Sequence, residues 1–374
     1  METSNKMKIL FLHGAIKNSG DFLISYRSQK LIKHIIPTCE IDALWEGESE
    51  QIIKNHLKGK SGIVFGGGPF FTKHIYPGDI PLVHDLSSLD IPMINIGGGW
   101  YGENNRYETV ANYEMDDTSI ELLKKIVASA DCLSCRDWYT VNMLKGKNLK
   151  AEMHGCPAWY DIENVPRSEL RTIKGINKIC ISDPANINNY RVAAQLVELL
   201  LELYPNAEVT FVFHRGIWEK EEGKRGEKRA EIIKPILEKN KIRYIDISGS
   251  HEGFNVYDDC DLHIGFRVHA HIYNLSKRNR TILLEEDGRG AGVNQALGLS
   301  SIHVYDDGVQ FKPKIIRQVK NKLTSSVNDY LREEVIRNIE RNEYTNWLEY
   351  ELAFKRMQFY YDQLCSHISK IKEW

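Results

Sequence analysis

The sequence predicts two α/β domains with mostly parallel sheets facing a cleft, followed by a long C-terminal helix. Three observations support this. Short apolar runs of strand length alternate with amphipathic helical runs through both halves. Glycines follow several of those runs immediately, as they do where strand ends meet a ligand. A stretch over 161–176, with Pro166, mixed charge and no periodicity, separates the halves. The expected organisation is therefore a first domain over 1–160, a linker over 161–176, a second domain over 177–325 and a helical segment over 326–374.

Lys8 to His13 (KILFLH) is an apolar strand that ends at Gly14 and a polar turn reaching Asp21, and helical spacing resumes from Phe22 to Ile36. That turn, with Asn18 and Gly20, is a candidate binding element, although it lacks the GxGxxG pattern and the later acid of a dinucleotide site. Ser61 to Phe65 runs into Gly66-Gly67-Gly68, and Pro92 to Ile96 runs into Gly97-Gly98-Gly99. Two strands ending in glycines suggest a glycine-lined floor that lets a ligand approach the main chain. Thr118 to Ser129 is an amphipathic helix. Arg136 and Asp137, ahead of a further helix from Tyr139 to Leu144, are expected to cap it and bond to each other.

In the second half, Lys178 to Ser182 is a strand and Tyr190 to Leu203 an apolar-faced helix. Glu208 to His214 is a strand that delivers His214 and Arg215. Glu219 to Glu238 is a charged helical face, and Ile242 to Ile247 is another strand. Tyr257 to Leu299 then reads as a β-α-β unit, with strands at Cys260 to Gly265 and Thr281 to Leu284 around a helix starting at residues 266–269. Free N–H groups and the positive dipole end favour an anion there, and Arg267 and His269 stand beside the same turn. A small acidic ligand is the expected guest. His271 points about 200° away from His269 around the helix and is read as packed, and His263 as a core residue. Glu285, Glu286, Arg289, Gly290 and Asn294 follow the next strand and are expected to border the same cleft.

Trp347, Tyr350, Phe354, Met357, Tyr361, Leu364, Ile368 and Ile371 recur at helical spacing. The stripe fits either docking across both domains or pairing with a second copy as a homodimer.

The 374 residues are 42% hydrophobic and 27% charged, with a net charge of −2. No basic excess points to nucleic acid, and no apolar run is long enough to cross a membrane. The start from Met1 to Lys8 is too short and polar for a signal peptide. Seven scattered cysteines fit reduced thiols, so a cytoplasmic location is expected. Cys132 and Cys135 are read as core or near-surface thiols, and Asp258, Asp259 and Asp261 as a turn, so no metal is expected.

The chain resembles the polysaccharide pyruvyl transferase family in Asn18-Ser19-Gly20-Asp21, in Gly66-Gly67-Gly68, in Ser134-Cys135-Arg136-Asp137 and in Gly155-Cys156-Pro157-Ala158. Above all it does so in Arg267-Val268-His269-Ala270, after Asp261-Leu262 and before a strand. It departs from the family in having Cys156 where an Asp is usual, and in a first turn lengthened by Ala15-Ile16-Lys17. The resemblance implies a glycosyltransferase-B-like fold and transfer of a pyruvyl group from phosphoenolpyruvate to a sugar of a surface polysaccharide or exopolysaccharide, as a cyclic ketal. No cofactor beyond that co-substrate is implied. The acceptor is a sugar, oligosaccharide or lipid-linked glycan, which would bring at most peripheral membrane contact.

The donor would bind at Arg267, Val268 and His269, with Arg215 as a second clamp. His269 is the expected general acid and His214 its reserve. Asp21 is either the base or the helix cap, and Asn18, Gly20, Asp21 and Gly66 to Gly68 form the expected acceptor side. A glycosyltransferase using a nucleotide sugar would employ the same residues. A carbohydrate-binding subunit without activity is the third reading.

Overall fold

The structure, a computed structural model, describes residues 7–100, 107–217, 224–304 and 330–374. The first half runs through β1 (Lys8–His13), α1 (Ser19–Ile35), β2 (Glu40–Trp45), α2 (Glu50–Leu57), β3 (Gly62–Phe65) and β4 (Gly68–Phe71). It continues with β5 (Met93–Asn95), β6 (Gly98–Trp100), α3 (Tyr107–Ala111), α4 (Asp117–Ala130), β7 (Leu133–Cys135), α5 (Trp138–Lys145) and β8 (Ala151–Met153). Ile9 to Leu12 are fully buried, as expected of a parallel strand covered on both faces. The order β2-β1-β3-β5 makes one parallel sheet.

The glycine runs do something other than end their strands. Gly67, Gly68 and Gly97 hold φ of 84°, 88° and 59°, a region open to glycine at little cost. Through them β3 passes into β4 and β5 into β6, and a second parallel sheet forms in the order β4-β6-β7-β8. A side chain on Gly66 would meet Phe11, and one on Gly67 the Ile96 carbonyl oxygen. The expected glycine floor is thus a crossing between two sheets, packed against the chain itself.

The second half comprises β9 (Lys178–Ser182), α6 (Tyr190–Leu203), β10 (Glu208–Phe213), α7 (Lys224–Lys239), β11 (Arg243–Asp246), β12 (Leu262–Gly265), α8 (Val268–Ser276), β13 (Arg280–Glu285), α9 (Gly288–Leu297) and β14 (Ile302–His303). Its six strands lie parallel in the order β11-β10-β9-β12-β13-β14. The β12-α8-β13 unit therefore forms as its periodicity predicts. Part of the charged face expected from Glu219 to Glu238 lies outside the described residues, which resume at Lys224.

Residues 330–344 form α10 and Leu348–Ser369 form α11. The apolar stripe of α11 is covered by the rest of the chain, with Tyr350, Phe354, Met357, Leu364, Ile368 and Ile371 all buried. The helix bonds to both halves. Tyr350 donates to the Thr281 carbonyl and Glu349 accepts from Ser300 at 2.7 Å. At its far end His367 Nε2 reaches the Asn95 carbonyl at 3.1 Å and Lys370 the Ala130 carbonyl at 2.6 Å. Among the described residues no helix is long and apolar enough to cross a membrane.

Candidate functional site

The polar turn after β1 feeds α1, and Asn18 caps that helix by accepting from Gly20 N. Asp21 is therefore not the cap. Its carboxylate accepts from Asn18 Nδ2 at 3.1 Å and lies within the field of Arg215, Arg289 and Arg136. Burial raises its pKa, while Asn18 and those arginines pull the other way.

The start of α1 is inserted against the strand ends of the second half. Ser19 N donates to the His214 carbonyl at 3.2 Å, and Ser19 Oγ meets His214 Nδ1 at 2.9 Å. The other ring nitrogen of His214 meets Tyr257 OH at 2.8 Å. Both nitrogens of this fully buried ring are engaged, and burial, with Arg267 beside it, lowers its pKa. His214 thus stitches the halves together and has no proton to deliver as a reserve acid. Gly20 lies directly under His269, since any Cβ there would overlap the imidazole at Nδ1.

One pocket gathers Asn18, Arg136, Ala185, His214, Arg215, Phe266, Arg267, Val268, His269, Glu286, Asp287 and Arg289. It sits at the first turn of α8, where the opening N–H groups have no helical acceptor. Its four arginines differ in how they are held. Arg267 forms a two-pronged pair with Asp183, Nε to Oδ1 at 2.7 Å and Nη2 to Oδ2 at 2.6 Å, and also reaches the Pro184 carbonyl at 3.1 Å. Its fork is occupied, which differs from the expectation of a free anion clamp. Arg289 pairs with Asp287 at 2.6 Å.

Arg215 Nε and Arg136 Nη2, by contrast, are buried with no hydrogen-bond partner. Arg136 lies 3.7 Å from Asp137, whose carboxylate caps α5 through Thr140 N at 2.8 Å. It lies over Gly99, where a side chain would strike the guanidinium. The capping role expected for Asp137 holds, but Arg136 turns into the pocket. His269 Nε2 is likewise buried and unpartnered. Burial, then Arg136 and Arg289, press its pKa well below the ordinary histidine value, so without an anion it is neutral rather than the protonated acid expected.

Other predicted residues sit elsewhere. Gly66, Gly67 and Gly68 do not line the pocket. Glu285 is buried and accepts from Asn294 Nδ2 and Ser301 Oγ, each at 2.7 Å, and Gly290 faces its side chain. These three fasten β13 to α9 and do not line the pocket. Glu286 borders the pocket but pins the loop after β9, accepting from Ala185 N at 2.6 Å and Asn186 N at 3.0 Å. His263 and His271 share the Thr281 hydroxyl in the interior, at 2.8 and 2.9 Å.

The sequence reading missed Glu46, the residue after β2. Burial, then the charges of Asp79 and Asp21, push its carboxyl up to about 7. An acid immediately after a strand was the available signal, hidden because β2 is half-exposed and does not read as a strand.

The pocket holds about 30 Å³ of free space, room for about one water. A hollow of about 340 Å³ lies farther along α1, but there Arg27 and Lys277 are both paired with Asp161.

The architecture is similar to solved structures of nucleotide-sugar enzymes. The UDP-GlcNAc 2-epimerase from Neisseria meningitidis bound to UDP-GlcNAc superposes with a TM-score of 0.52 at 11% identity, over 94% of this chain and 94% of its own. A putative UDP-N-acetylglucosamine 2-epimerase from Listeria monocytogenes gives 0.54 at 10% identity, over 94% and 91%. TcCGT1 in complex with UDP gives 0.53 at 8% identity, over 98% and 99%. These likenesses place the fold with the glycosyltransferase-B enzymes. No curated protein matches the sequence. A family model described as polysaccharide pyruvyl transferase matches residues 18–274.

Proposed function

The chain belongs to the polysaccharide pyruvyl transferase family, and from that premise we propose that it transfers the pyruvyl group of phosphoenolpyruvate to two hydroxyls of a sugar. The observation that carries the reading is the trio of buried, unpartnered nitrogens, Arg136 Nη2, Arg215 Nε and His269 Nε2, lining one pocket at a helix start. Leaving such groups unpaired costs stability, and a compact compound bearing both carboxylate and phosphate satisfies all three. Burial first, and then the arginine charges, hold His269 neutral; a bound anion offsets the second of these and favours the protonated ring.

In the proposed sequence His269 gives this proton to the methylene carbon, and the first sugar hydroxyl bonds to C2 while losing its own proton to a carboxylate. Asp21 and Glu46, both raised by burial, are the bases at hand on the first-half side. The C2–O bond to phosphate then breaks, inorganic phosphate leaves, and the second hydroxyl closes the ketal, releasing its proton. With about 30 Å³ free, entry of the donor requires the halves to part or Arg215 to swing aside.

The similar structures solved with UDP-GlcNAc or UDP bound favour a second reading, in which the same cations meet a diphosphate. The test is incubation with phosphoenolpyruvate and candidate glycans. Glycan-dependent phosphate release and a product heavier by one pyruvyl ketal are expected, with His269→Gln lowering turnover about 10²-fold or more. Product formed from a nucleotide sugar without phosphoenolpyruvate would overturn the proposal.

A further inference from the structure

Three side chains of metal-ligand type, drawn from distant parts of the chain, meet in the interior. Cys132 immediately precedes β7, His154 immediately follows β8 and His367 lies near the end of α11. All three are buried, and one ligand atom from each lies within 4.8 Å of the other two. None of them lines the cationic pocket.

The separation of Cys132 from His367 matches coordination geometry. Cys132 Sγ and His367 Nδ1 stand 3.7 Å apart. Bonds of about 2.3 Å to sulfur and about 2.0 Å to nitrogen around a tetrahedral zinc would hold such atoms about 3.5 Å apart. His367 uses its other nitrogen, Nε2, on the Asn95 carbonyl at 3.1 Å. A carbonyl acceptor of this kind fixes the tautomer and leaves the Nδ1 lone pair facing the sulfur. His154, its ring centroid 4.7 Å from that of His367, has a buried Nδ1 without any hydrogen-bond partner. Glu152 places a carboxylate oxygen 3.7 Å from His154 Nε2 on a half-exposed side chain, within reach as a fourth ligand. The nearby cation, Lys370, is held by the Ala130 carbonyl at 2.6 Å and lies 4.0 Å from Asp131.

We propose that Cys132, His154 and His367 bind one zinc ion, with Glu152 or a water completing the tetrahedron. One thiolate and two imidazoles suit zinc among divalent ions, and binding releases the Cys132 thiol proton to solvent. The ion is structural: it fastens the end of α11 to β7 and β8. The competing arrangement is a plain S–H to Nδ1 hydrogen bond with no ion.

The test uses the full chain, purified without chelator or polyhistidine tag after growth with zinc. Metal analysis is expected to find one zinc per chain, lost in Cys132→Ser and His367→Ala and kept in Cys39→Ser and Cys260→Ser. Because the ligand variants can fail to fold, the wild-type protein is also stripped and given cobalt(II) alone. The expected result is the intense visible spectrum of a tetrahedral site with thiolate-to-cobalt charge transfer, and zinc added back is expected to raise Tm and protect α11 from proteolysis. A wild-type chain with no more zinc than the Cys132→Ser variant, together with a weak six-coordinate cobalt spectrum, would overturn the assignment.

Discussion

Arg215 and Arg267 line the same pocket, but only one of them is held by an acid. Removing Arg267 strands the buried Asp183 carboxylate, so Arg267→Ala is expected to cost about 3–5 kcal/mol of stability, read by urea denaturation. Arg215→Ala leaves no such orphan. It is expected to weaken phosphoenolpyruvate binding about tenfold or more by calorimetry, the loss of a charge-assisted contact, with Tm nearly unchanged. The local sequence cannot distinguish the two, because Asp183 lies 84 residues from Arg267 and only the pairing of β9 with β12 brings them together. Glu46 makes a second residue-level case. Its carboxyl ionises near 7 in the fold against 4.5 ordinarily, so between those values the folded state keeps a proton that the unfolded chain releases. The Glu46 contribution to stability therefore falls as pH rises through that window, by up to about 3 kcal/mol, against the opposite slope of the buried neutral histidines such as His214 and His269. Glu46→Gln is expected to remove that contribution, so that relative to the wild type it is stabilised at pH 8 and unchanged at pH 4 in urea titrations at both values.

At the scale of elements, the first turn of α1 and the first turn of α8 form one contact, glycine against imidazole. Gly20→Ala suits a helix by up to about 1 kcal/mol, yet its methyl displaces the ring of His269. Overpacking against a buried ring costs about 1–3 kcal/mol, so the expected outcome is turnover reduced about 10²-fold with Tm lowered, read by steady-state kinetics beside thermal melts. Elements with strong periodicity were legible in the sequence: β1, β9, α6 and the β12-α8-β13 unit lie where their apolar spacing places them. The strands that escaped are short or partly exposed. β2 is half-exposed, and β4 and β6 have only four and three residues, too few for alternation to register. The glycine runs were read correctly as unusual backbone but not as the bend between two sheets, which depends on partners far along the chain. Arg136 was read as part of a local cap because Gly99, the residue that makes room for it, belongs to a different strand.

Across the whole molecule, α11 bonds to the second half near Thr281 and Ser300 and to the first near Asn95 and Ala130. A chain tied in this way is expected to unfold in one calorimetric transition, and removal of residues 348–374 to split that transition into two. The stripe that encodes this helix was plain in the sequence, but its destination was not, since apolar spacing specifies a covered face without naming the cover. The junction of Gly20 with His269 reaches further still. On the proposed reaction, the proton donor belongs to one half and is steadied by the other, so whenever the gap widens the acid loses its backing.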